Sequence, residues 1–79
     1  MADIPDELIM LERSSETERA KLAGLDGEEH DAQWRRWREA AEAVQAAITA
    51  HAAAAGQSRF DVEAAVKAAV RHADEDPAV

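Results

Sequence analysis

The chain has no cysteine, only three glycines and two prolines, and only three aromatic side chains among its 79 residues. Without cysteine there is no disulfide framework and no thiolate chemistry. Three scattered glycines do not make a glycine-rich phosphate loop. No apolar run approaches the length of a membrane span. Basic residues are the minority, nine against seventeen acidic, which leaves a formal charge of −8. A polyanion is repelled by that charge at long range, which argues against a general nucleic-acid binder and against adhesion to an anionic membrane.

The first residues, Met1-Ala2-Asp3-Ile4-Pro5-Asp6-Glu7, lack the basic start and apolar core of a signal peptide, so a cytoplasmic setting is expected. Alanine is about a quarter of the chain and arginine outnumbers lysine, the bias of a GC-rich bacterial coding sequence. Strand patterns, internal repeats and low-complexity linkers are all missing.

What is there is helical periodicity. Trp34, Trp37, Ala41, Val44, Ile48, His51 and Ala55 recur in steps of three and four, as in a helix packed lengthwise on another. Ile4, Leu8, Leu11, Ser15, Glu18, Leu22 and Leu25 repeat the period on an earlier helix, with two polar members at its middle. Pro5 suits a first turn, Gly24 followed by Leu25 reads as a stop, and Asp26-Gly27-Glu28-Glu29 reads as a capping box. Gly56 ends the second helix. Ser58 caps a third, whose apolar face carries Val62, Ala65, Val66, Ala69, Val70 and Ala73, and Pro77 lies beyond its end.

These signals predict an all-α antiparallel three-helix bundle. A long central helix (about 27–55) packs against helix 1 (about 5–23) and helix 3 (about 59–73). The whole is a single helical domain over 1–79, with a short N-terminal tail (1–3) and an acidic C-terminal tail (74–79). If the first two helices fold back about Leu25 and Asp26, paired positions add to about 51. Leu8 then meets Val44, Leu11 meets Ala41, and Ser15 and Glu18 face Trp37 and Trp34. Small opposite large is what packing requires, and Glu18 is then placed to accept from the Trp34 indole or to pair with Arg38.

Nothing here carries the pattern of an enzyme. His30, His51 and His72 share no metal-ligand spacing, and no nucleophile is paired with a base. The expectation is a non-enzymatic protein with no cofactor, metal or small-molecule substrate. The residue types that anchor protein interfaces do occur. Trp34, Trp37 and Arg38 lie in the densest tryptophan–arginine cluster, and both residue types are enriched in binding hot spots. Ala43, Ala47 and Ala50, with Ala40 and Ala54, form a second stripe of small side chains that allows close helix approach. The reading is therefore a small protein acting through helix-on-helix contact, as an accessory or regulatory subunit, with another protein or a second copy as partner. A homodimer is the expected form.

A second reading starts from residues 51–66. Ala52, Gly56, Ser58, Val62 and Ala65 resemble the spacing of the helix-turn-helix signature: a small residue, a turn glycine four later, an apolar anchor six after that. The resemblance implies a recognition helix starting at Ser58, with Arg59, Lys67 and Arg71 toward DNA in a transcription-associated protein. Asp61 and Glu63 on the same segment oppose phosphate contact.

Overall fold

A computed structural model describes residues 4–75, with side chains placed up to 72. Three helices form in order: α1 (Asp6–Ala20), α2 (Gly27–Ala55) and α3 (Arg59–Glu75). They make a three-helix bundle in which the long α2 packs against both neighbours. Asp74 and Glu75 extend α3 past its expected end, and the remainder of both predicted tails lies outside the described residues.

Pro5, with extended backbone, stands before α1, and its carbonyl accepts from the Leu8 N–H at 3.0 Å. Asp6 and Glu7 place negative charge at the positive end of the helix dipole. Contrary to the expected run to residue 23, α1 stops at Ala20. Leu22, Ala23 and Leu25 donate to carbonyls three residues back instead of four, so the chain tightens into a turn before Gly24 (φ 83°). Asp26 stands before α2 with extended backbone, but its side chain makes no capping hydrogen bond. The capping box is not formed, because left-handed Gly27 (φ 58°) leads the chain into the helix differently.

At the far end the expected stop is formed. Gly56 is left-handed (φ 67°), and Gln57 N–H donates to the Ala52 carbonyl at 2.9 Å in the manner of a Schellman closure. Two residues on, the Ser58 hydroxyl accepts from the Asp61 N–H at 3.0 Å and caps α3.

The core joins all three helices. Leu8 of α1, Val44, Ile48 and Ala52 of α2, and Val62, Val66 and Val70 of α3 are buried, and Ile48, Val62 and Val66 have no exposed surface at all. Ile4, Leu11 and Ala47 pack around them. The α3 contribution is a column of β-branched side chains four residues apart, which keeps one face inward along the helix.

The seam on α2 departs from the heptad expected. Trp34 and Ala55 are exposed, His51 is half-buried, and Gln33 and Ala52 take the inward places. Gln33 and Val44, Trp37 and Ile48, and Ala41 and Ala52 are each eleven residues apart. An eleven-residue repeat matches a straight helix, whereas a heptad repeat needs sustained supercoiling. α1 is 15 residues long against 29 for α2. It is too short to impose a supercoil, so the inward face drifts around α2 and the predicted seam is lost at both ends.

Candidate functional site

The tryptophan–arginine cluster sits on the first half of α2. Trp37 is half-buried, while Trp34 keeps 39% of its surface exposed. The rings meet edge-on, with centroids 6.4 Å apart and planes at 63°. The Arg38 guanidinium lies 5.4 Å from the Trp34 ring centroid and its Nε is 3.3 Å from Glu42. The cation is thereby held over the ring of a side chain that is still partly exposed. Arg35 donates to the Asp31 carbonyl one turn earlier at 3.4 Å.

Neither Trp34 nor Arg38 engages Glu18, as the sequence had suggested. Gln33 does: its side-chain amide donates to the Glu18 backbone carbonyl at 2.7 Å and to the carboxylate at 3.1 Å. The positions add to 51, one less than the expected Glu18–Trp34 pair, so the partner is one residue earlier on α2, in line with the drift of the seam. Lys21 also reaches the Glu18 carboxylate at 3.0 Å. The hydrogen bond from Lys21, then that from Gln33, holds the Glu18 carboxyl below its ordinary value of 4.5.

The alanine stripe divides. Ala40 and Ala47 are half-buried, and Ala47 packs against the core, so α2 turns them away from any partner. Ala43 and Ala50 are exposed, and so are Ala46, Ala53 and Ala54 beside them. At 100° per residue these five share one side of α2, across the helix from Val44, Ile48 and Ala52. No charged residue occurs from Ala43 to Ser58 in a chain that is one-third charged. Of the expected stripe, Ala43, Ala50 and Ala54 are on the exposed side, and Ala40 and Ala47 are turned inward. The signal that locates it is the sixteen-residue absence of charge.

The three cations of the second reading are placed differently from one another. Arg59 donates to the Gln45 side-chain carbonyl. Lys67 pairs with Glu12 at 3.4 Å, and Glu12 is buried on α1. Arg71 is exposed. Phe60, beside Arg59, is 80% exposed.

Among the described residues, no group of three or more His, Asp or Glu side chains is placed to hold a metal ion, and no helix is long and apolar enough to cross a membrane. His51 is half-buried near the start of α1, with its Nε2 enclosed and unpaired. Compared with family models, curated proteins and solved structures, the chain matches none.

Proposed function

We propose that this is a small non-enzymatic interaction protein, an accessory or regulatory subunit that docks through the outer face of α2. One observation carries the reading: α1 and α3 leave the charge-free row Ala43, Ala46, Ala50, Ala53 and Ala54 uncovered. Small side chains let a second helix come close, and no charge has to be desolvated when it does. Trp34, with Arg38 over its ring, lies about 150° around α2 from that row at 100° per residue, so it is not part of this docking face.

A second copy of the chain is the partner proposed. Two molecules of charge −8 repel through most of their surface, and pairing their uncharged rows brings them together where repulsion is least. Sedimentation velocity on the wild type and on Ala50→Glu tests this. The expected result is a dimer for the wild type and a monomer of unchanged helicity for the variant. A wild type that stays monomeric at high concentration would remove the self-pairing, and a dimer that tolerates Ala50→Glu would remove the face.

Duplex contact through Arg59, Lys67 and Arg71 has less support. Two of the three cations are spent on Gln45 and Glu12 within the chain. That alternative requires a salt-dependent retardation of duplex DNA.

A further inference from the structure

Where the three helices meet, away from the alanine row, there is a cleft of about 180 Å³. Glu12, Ser15, Glu16 and Arg19 of α1, Trp37 of α2 and Lys67 of α3 line it. Two of these are buried polar side chains: Glu12 is 5% exposed and Ser15 is 8% exposed. The Ser15 hydroxyl makes no hydrogen bond to any described residue, and Glu12 uses one carboxylate oxygen only, in the 3.4 Å contact with Lys67. Neither free oxygen is sealed in protein, and both residues line the cleft.

Buried polar groups in folded proteins are paired with few exceptions. A hydroxyl and half a carboxylate, three residues apart on one helix and both facing a cleft, are a place for a donor from outside. An ammonium group has three such donors and suits that pair of acceptors. Trp37 also lines the cleft, and an indole attracts a cation. Arg19, and Lys67 through the N–H donors that its contact with Glu12 leaves, line the same space and suit a carboxylate. The lining thus holds both signs, two carboxylates and two cations, and a ligand carrying a single charge would meet repulsion from one pair.

Size narrows the class further. The cleft has the liquid volume of about six waters, well short of the roughly 300 Å³ at which sites for drug-sized ligands begin. We propose that it binds a free α-amino acid with a small side chain as the zwitterion. The ammonium sits on Glu12 and Ser15, and the carboxylate on Lys67 and Arg19.

The test is a titration of the full chain with glycine, L-alanine and L-serine, followed by amide and indole proton–nitrogen spectra. Trp34→Phe assigns which indole signal is that of Trp37. Acetate and methylammonium, the two halves of the ligand, serve as probes of each pole. The expected result is millimolar binding of the amino acids, with shifts at the Trp37 indole and around Glu12, Ser15 and Lys67, and weaker binding of either half. Ser15→Ala removes a hydroxyl that no residue uses, so it should fold normally and bind about two- to tenfold more weakly. Glu12→Gln should weaken binding about tenfold or more, since it removes a charge-assisted contact. No shift with any of the three amino acids, equal binding of acetate alone, or undiminished affinity in both variants would overturn the proposal.

Discussion

The Gln33 side chain of α2 closes the end of α1 by taking the one carbonyl in its last turn that the backbone leaves open. Of the final four carbonyls of α1, those of Thr17, Arg19 and Ala20 accept from Lys21, Leu22 and Ala23. The Glu18 carbonyl accepts from Gln33 at 2.7 Å. Helix ends need such partners, and here a residue of the next helix supplies one. The same contact fixes how α1 and α2 slide past one another.

Gln33→Leu should therefore destabilise the fold although it adds an apolar side chain at a buried site. It leaves the Glu18 carbonyl without a donor at a cost of about 1–3 kcal/mol. Gln33→Glu should cost more at neutral pH, because it sets a second carboxylate against Glu18, and should recover in part on acidification. Urea denaturation of the three proteins at pH 7 and pH 4 measures both effects.

Acid should weaken this corner in a defined direction. Glu18 is held below 4.5 first by Lys21 and then by Gln33, so its charged form is favoured in the folded state. Stability from that charge is fully present above pH 4.5 and is lost as pH falls through the lowered folded value. Glu18→Gln should flatten the dependence of the urea midpoint on pH below that point and leave the dependence above pH 6 unchanged.

The largest apolar side chains are not the most important ones. Ile48 is fully buried, and Ile48→Ala should cost about 2–5 kcal/mol. Phe60 is 80% exposed, and Phe60→Ala should change stability by no more than about 0.5 kcal/mol. Thermal unfolding of the two variants separates them. If Phe60→Ala cost as much as Ile48→Ala, the placement of α3 would be wrong.

Gly56→Ala isolates a backbone effect. A Cβ there meets nothing within 4 Å, so the cost is that of the left-handed conformation alone. About 1 kcal/mol is expected. Gly56→Asn, which tolerates that conformation better, should recover part of it in the same denaturation experiment.

Three helices, the left-handed stop at Gly56 and the Ser58 cap were legible in the sequence, because each depends on residues within a turn of one another. The antiparallel pairing of the first two helices was legible too, but its register was off by one at Glu18, which meets Gln33 and not Trp34. What escaped depended on distance along the chain. Gln33 looks like a surface residue until the drift of α2 turns it toward Glu18. Glu12 reads as solvated until α3 is laid across α1, and nothing local announces where α3 will lie. The same drift turns Ala40 and Ala47 of the alanine stripe inward. A heptad counted from Trp34 stays in phase at Val44 and Ile48 and has moved off the inward face by Ala55.

The two connections, residues 21–26 and 56–58, are short, so most of what must meet is already close along the polypeptide. Val62 lies 18 and 14 residues from Val44 and Ile48, and Leu8 lies 36 and 40 from them, spans that the intervening helices shorten. Such topologies reach the native state in microseconds to milliseconds, with little time spent as a sticky, half-assembled species.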